Sequence, residues 1–215
     1  MLGYYNYTVI LTYSSLASAV TGLFLAFNGH PFWAVICLLI SGLCDAFDGK
    51  VARMRKQSTE EEKRFGIQID SLCDLIAFGV LPCMIGYALG MKSMWYMPVF
   101  IAYVLAALIR LAYFNVAEEI RQKNTTETRK FYSGLPVTSV SLLIPVVYGL
   151  VFLLDQSVRH YVYASALVII ALLFVCNFRL KKPGFRGIMI LVGVGILEVL
   201  LIIGLMFLIR NGGIR

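Results

Sequence analysis

Apolar residues run along this chain in long blocks separated by short polar breaks. About twenty apolar residues are needed to cross the hydrocarbon core of a bilayer as a helix. Seven blocks reach or approach that length: roughly residues 8–28, 32–53, 67–90, 95–117, 136–154, 160–178 and 187–209. The breaks between them are Asn28 to Pro31, Arg53 to Arg64, Met91 to Ser93, Glu118 to Ser133, Asp155 to His160, and Arg179 to Arg186. The pattern predicts an all-α, polytopic membrane helix bundle of about seven transmembrane helices, organised as a single domain over residues 1–215. The second to fourth blocks carry polar residues near one end, which makes them candidates for building a site as well as for anchoring.

Composition agrees with the pattern. Of 215 residues, 60% are hydrophobic and 14% charged, and the mean hydropathy is +0.81; a soluble domain carries about 25% charged residues. A chain this short cannot hide so much apolar surface in its own core. The net charge of +7 is informative through its distribution. Alternate breaks hold Arg53, Arg55, Lys56, Lys63 and Arg64, then Arg121, Lys123, Arg129 and Lys130, then Arg179, Lys181, Lys182 and Arg186. The opposite breaks hold little beyond Lys92 and Arg159. The positive-inside rule places the basic set, and with it the N-terminus, in the cytoplasm. The excess is then a topology signal and a match to anionic lipid headgroups, with no nucleic-acid partner implied. The start of the chain lacks a basic n-region, and its first apolar run is long enough to span, so it reads as an anchor rather than a cleaved signal. Cys37, Cys44, Cys73, Cys83 and Cys176 are odd in number, lack metal-ligand spacing and lie in or beside apolar blocks. They read as small buried apolar residues, with no disulfide framework.

The most informative segment runs from Asp45 to Asp74. Asp45 and Asp48 are three residues apart and share a helix face; Asp70 and Asp74 are four apart and do the same. Both pairs sit near the predicted cytoplasmic ends of adjacent spans, so antiparallel neighbours bring the four carboxylates together. Carboxylates so close to hydrocarbon repel one another and are expensive to desolvate. Oxygen-only ligands in this number suit Mg²⁺ or Mn²⁺, at one or two sites. Paired divalent ions stabilise displacement at phosphorus, and a spare carboxylate can accept a proton from an attacking hydroxyl. Gly49 and Ala52 leave room for a ligand beside Asp48, Gly66 opens the next helix, and Arg53 can grip phosphate by a forked hydrogen bond. The bland alternative is a set of interfacial aspartates paired with nearby lysines and arginines.

The pattern Asp45-x-x-Asp48-Gly49-x-x-Ala52-Arg53, followed by Gly66-x-x-x-Asp70-x-x-x-Asp74, resembles the signature of the CDP-alcohol phosphatidyltransferase family. Every fixed position is present. The family usually has about eight residues between the arginine and the second glycine, whereas twelve stand here, the extra ones falling in a polar Gln57–Glu62 stretch. The resemblance implies a six-helix core plus a C-terminal helix. It implies Asp45, Asp48, Asp70 and Asp74 as ligands of two divalent ions, with Asp74 also the base. It assigns Gly49, Ala52, Arg53 and Gly66 to the CDP site, and it implies a homodimer.

Two later segments bear on the acceptor alcohol. Arg110 and Asn115, near the cytoplasmic end of the fourth block, could bind the carboxylate and amine of an amino acid; alternatively Arg110 snorkels to the interface or binds lipid phosphate. Phe131 to Pro136 reads most simply as a loop ending with proline in the first turn of the next helix. Arg110-Leu-x-x-Phe-Asn115, Phe131 to Pro136, the Asp70–Pro82 run and the basic Arg179–Arg186 stretch together resemble the phosphatidylserine synthase branch. The first block lacks the Pro-Asn start of that branch, and Thr12 matches it only loosely. The resemblance implies transfer of a phosphatidyl group from CDP-diacylglycerol to L-serine, in the cytoplasmic membrane of a prokaryote, with the site facing the cytoplasm. Glycerol-3-phosphate and inositol phosphate are the alternative acceptors, and a divalent-cation transporter is the alternative class. A transporter calls for acidic residues near mid-span, however, and these lie at one surface.

The remaining polar residues have simpler readings. Glu198 stands alone in the seventh block and is expected to be protonated and hydrogen-bonded to a neighbouring helix or subunit. His30 and His160 read as interfacial residues. Tyr4, Tyr5, Tyr7 and Tyr13 read as an aromatic belt, and Glu60 to Glu62 as a solvated loop.

Overall fold

A computed structural model of the protein describes residues 9–54, 59–124, 131–181 and 185–210. Eight α-helices are found among them: α1 (Ile10–Phe27), α2 (Pro31–Met54), α3 (Glu60–Asp74), α4 (Leu81–Ala88), α5 (Met97–Asn124), α6 (Val140–Phe152), α7 (Gln156–Val175) and α8 (Phe185–Arg210). A π-helical turn, Leu75–Val80, joins α3 to α4, so the third predicted block is one helical rod, Glu60–Ala88, of altered winding. Five stretches are long and apolar enough to cross a membrane: Ile10–Phe27, Pro31–Asp48, Glu60–Ala88, Met94–Arg121 and Gln156–Val175. Val137–Phe152 and Val192–Gly204 are shorter apolar helices. The protein is an all-α, membrane-embedded bundle.

The link between α1 and α2 shows how local sequence makes tight neighbours. Gly29, at φ +79°, ends α1: His30 N–H bonds to Leu25 O at 2.9 Å and Gly29 N–H to Ala26 O at 3.0 Å. Glycine takes this left-handed position without steric cost, and the paired bonds satisfy carbonyls that a helix end would orphan. Pro31 then starts α2 where its missing N–H costs nothing. The two helices run back antiparallel along a stripe of small buried residues on α1: Thr12, Ser15, Ala19, Gly22 and Ala26. Ser15 and Ser41 donate reciprocally to each other's carbonyls at 3.3 and 3.0 Å, and Ser18 donates to Cys37 O at 2.9 Å. Small residues and interhelical hydrogen bonds drive association where lipid removes the hydrophobic incentive.

The same logic holds α6 against α2. A Cβ on Gly42 would overlap Cβ and Oγ of Ser141. Further out, Tyr103, Tyr148, Tyr163, Phe78 and Phe174 fill the centre of the bundle, with Tyr103 and Phe174 ring centroids 5.7 Å apart.

Several expectations change. Glu60 to Glu62 form the first turn of α3 rather than a loop. Thr59 caps that turn and is matched by Glu62 in a reciprocal capping box at 3.2 Å in each direction, and three acidic residues suit a helix N-terminus. Phe131–Ser133 is a short strand, β1, paired antiparallel with β2 (Arg179–Lys181), Tyr132 opposite Leu180. Pro136 precedes a 3₁₀ turn, Val137–Ser139, instead of standing inside the first α-helical turn. The cysteines are free thiols, but only Cys37, Cys73 and Cys83 are buried; Cys44 is half-buried and Cys176 exposed. Tyr4, Tyr5, Tyr7, Arg55, Lys56, Arg129, Lys130 and Lys182 lie outside the described residues.

Gly42→Ala is expected to destabilise the bundle by about 1–3 kcal/mol through overpacking. Gly204→Ala, where a Cβ meets nothing within 4 Å, is expected to leave the midpoint of thermal unfolding in detergent unchanged or raised.

Candidate active site

Asp45 and Asp48 lie toward the C-terminal end of α2, and Asp70 and Asp74 in the last turns of α3. One carboxylate oxygen each from Asp45, Asp70 and Asp74 lie within 4.8 Å of one another. Asp74 is buried; Asp45 and Asp70 are half-buried. The fourth carboxylate of the motif is that of Asp48. Asp48 is buried, and its Oδ2 accepts a hydrogen bond from Thr12 Oγ1 at 3.3 Å. Among the described residues, the ion pairs Lys63–Glu60 and Arg121–Glu118 leave Asp45, Asp70 and Asp74 without a basic partner.

Such a donor set fits a small hard cation. Oxygens bound to Mg²⁺ at about 2.1 Å lie at most about 4.2 Å apart, so oxygens within 4.8 Å come into range with small side-chain rotations. A divalent ion would also offset the mutual repulsion of the group.

The helix carrying Asp70 and Asp74 changes winding immediately after Asp74, and Pro82 supplies the reason. Proline has no N–H to give the carbonyl four residues back, and its ring crowds that carbonyl. Here that carbonyl belongs to Phe78, and it accepts from Tyr103 Oη at 3.0 Å instead. Pro82 O in turn accepts from Tyr163 Oη at 2.9 Å. A Cβ at Gly86 would come within 2.9 Å of the Tyr163 ring, so glycine there admits the tyrosine. Isolated π turns of this kind often stand beside functional sites.

Asn115 on α5 reaches α3: its Nδ2 donates to Ser71 Oγ at 2.8 Å, beside Asp70. Arg110 is only 5% exposed. Its Nε donates to Leu135 O at 2.9 Å and one terminal nitrogen to Gly134 O at 3.4 Å. Five residues along an α-helix turn through about 140°, so Arg110 and Asn115 serve different sides of α5. Gly134 needs its own freedom: φ is +79° and a Cβ would meet Cys176 O at 2.7 Å. Among the described residues, a Cβ on Gly66 would meet nothing within 4 Å, which leaves open space one turn before Asp70. Gly49, Ala52 and Arg53 fall on the last turns of α2, where side-chain surroundings lie outside the described residues.

Residues 5–177 match the family model described as CDP-alcohol phosphatidyltransferase. The chain belongs to the CDP-alcohol phosphatidyltransferase family. It is 32% identical over 154 residues to a Saccharomyces cerevisiae protein named CDP-diacylglycerol–serine O-phosphatidyltransferase, covering 67% of this chain and 54% of that one. A Helicobacter pylori protein of the same name is 31% identical over 196 residues, covering 86% of this chain and 74% of its own length. An archaetidylserine synthase of Methanothermobacter thermautotrophicus is 28% identical over 164 residues, covering 75% and 66%. The chain thus spans little more than half of the yeast relative and about three quarters of the bacterial one.

Within this family member, two features escaped the sequence. Thr12 was visible only as a loose motif match, and no signal pointed to its partner. Ser71 carried no signal beyond its place between Asp70 and Asp74. Glu198 is 8% exposed, and its Oε2 has no hydrogen-bond partner among the described residues of this single chain. Neighbouring Gly195 on α8 faces the side chains of Leu142 and Leu39, and such apolar walls offer no donor or acceptor.

Asp70→Asn is expected to weaken Mn²⁺ binding to metal-stripped protein at least about tenfold, since even outer contacts to metal ligands cost that much. The resonance of unbound Mn²⁺ in a titration measures it.

Proposed function

We propose that this protein transfers the phosphatidyl group of CDP-diacylglycerol to L-serine, releasing CMP, at the cytoplasmic face of the membrane. The observation that carries the reading is the carboxylate trio, gathered at one end of the bundle beside the open space at Gly66. Lys63, Arg64, Arg121, Arg179 and Lys181 lie in the same set of breaks as the cluster, which supports a cytoplasmic orientation. The names of the relatives supply the alcohol: serine is in the name of the yeast and Helicobacter proteins, and the archaeal one makes a serine lipid by its name.

Asp45, Asp48, Asp70 and Asp74 would hold two divalent ions, Mg²⁺ or Mn²⁺. When bound, such ions neutralise charge on the phosphates and on the transition state. Asp74, the most buried of the trio, takes the proton of the serine hydroxyl. A hydroxyl has too high a pKa to react well without such a base. The serine oxygen bonds to the phosphorus that carries diacylglycerol, and the bond from that phosphorus to the CMP oxygen breaks. Gly49, Ala52, Arg53 and Gly66 form the proposed cytidine-diphosphate cradle. Asn115, held beside Asp70 through Ser71, is the proposed direct contact to serine, and Arg110, which orders the Gly134–Leu135 turn from another side of α5, is proposed to shape the serine site through that turn. A homodimer is part of the same reading, on family resemblance.

Purified protein in detergent is expected to release CMP from CDP-diacylglycerol only when serine and Mg²⁺ or Mn²⁺ are both present. Asp74→Asn is expected to lower that rate by about 10²-fold or more, as loss of a general base does. Release driven by glycerol-3-phosphate or inositol phosphate instead would overturn serine as the acceptor. Release with no acceptor among these would overturn the transferase reading. Asn115→Ala is expected to raise the KM for serine while leaving that for CDP-diacylglycerol near the wild-type value, as measured by steady-state kinetics in mixed micelles.

A further inference from the structure

We propose that Thr12 is a positioning residue for the metal centre, setting which divalent cation the carboxylates prefer; the inference rests on the metal-dependent reading above. Thr12 stands on α1, which contributes no carboxylate to the cluster. It is 6% exposed, and its hydroxyl donates to Asp48 Oδ2 at 3.3 Å. A buried hydroxyl needs a partner, and here the partner is a proposed metal ligand on the next helix, α2.

The contact is built, because α1 cannot slide on α2. The reciprocal Ser15–Ser41 bonds lie one turn along α1 from Thr12. The close approach of Gly22 to Cys37, where a Cβ would come within 2.9 Å, lies further along the same face. Both fix the register that brings Thr12 to Asp48. The last torsion of an aspartate has broad energy wells, so each hydrogen bond to the carboxylate narrows the rotations it samples. The Thr12 hydroxyl occupies one oxygen and holds the group in one rotation, so that Asp48 meets a cation as a one-oxygen ligand. Single-oxygen ligation suits the strict octahedron of Mg²⁺ or Mn²⁺. Ca²⁺ tolerates two-oxygen carboxylate ligation and a looser shell. Removing the hydroxyl therefore weakens the small ion more than the large one.

The test is metal binding to stripped, detergent-solubilised protein, independent of turnover. Free Mn²⁺ is followed by its magnetic resonance, and Ca²⁺ competes it off. Thr12→Val is expected to lower Mn²⁺ affinity about tenfold, the scale of a lost contact to a metal ligand, and to shrink the preference for Mn²⁺ over Ca²⁺. Thr12→Ser, which keeps the hydroxyl, is expected to restore both. Thr21→Val makes the same exchange on the exposed side of α1, where the hydroxyl bonds only to Ala17 O, and is expected to bind like wild type. Wild-type Mn²⁺ affinity and selectivity in Thr12→Val would overturn the proposal, as would a Thr12→Ser protein as weak as the valine variant. Thr12→Ala is read by the same criteria if the valine variant does not melt cooperatively. Wild-type protein that binds no Mn²⁺ would overturn the metal reading itself, a result separate from equal binding by wild type and Thr12→Val.

Discussion

Carboxylates gathered at the edge of hydrocarbon repel one another and lose hydration, so they stay together only where the helices that carry them cannot part. Much of the bundle serves that constraint. The Gly29 turn and Pro31 return α2 directly along α1. The Ser15–Ser41 pair and the Gly22 contact lock the register, and Thr12 then reaches Asp48. On the other side, Asn115 ties α5 to α3 through Ser71. Asp45 and Asp48 on α2, and Asp70 and Asp74 on α3, are thus held from both flanks by hydrogen bonds donated by neutral side chains. Those contacts add no charge to a region that already has too much of one sign.

The second constraint is that backbone polar groups in lipid must find partners within the protein. Pro82 breaks that rule locally because it has no N–H to donate to Phe78 O. The Tyr103 hydroxyl repairs the break, and the Tyr163 hydroxyl holds the next turn at Pro82 O. The altered winding stands between the carboxylate end of the rod and its deeply buried part. The direction in which Asp70 and Asp74 point is therefore decided together with the packing of two tyrosines from α5 and α7. Arg110 is handled in the same way. Its buried guanidinium is met by the carbonyls of Gly134 and Leu135, which joins α5 to the β1–β2 ribbon. That ribbon links the segment before α6 to the segment before α8. Both segments lie in the basic set of breaks, on the side of the carboxylates.

The helical bundle and the aspartate motif were legible from residue order, because each depends on local chemistry; of the seven apolar blocks, five form helices long enough to cross a membrane and two form shorter ones. A run of apolar residues long enough to span lipid must be helical, and aspartates three or four apart must share a face. The capping box at Thr59–Glu62 was equally local and was obscured by the acidity of Glu60 to Glu62, which resembles a solvated loop. Not legible were contacts between residues distant in the chain: Thr12 with Asp48, Ser71 with Asn115, Tyr103 with Phe78, and the pairing of Phe131–Ser133 with Arg179–Lys181. The spacing of Arg110 and Asn115 carried no sign that one would meet the Gly134–Leu135 turn and the other Ser71. The sequence by itself determined which chemistry could be present and that its carboxylates fall at the ends of two adjacent helices. Only the tertiary structure decided which oxygen meets which donor, because helix register and side-chain rotation are set by packing across the bundle, and local sequence carries no record of it.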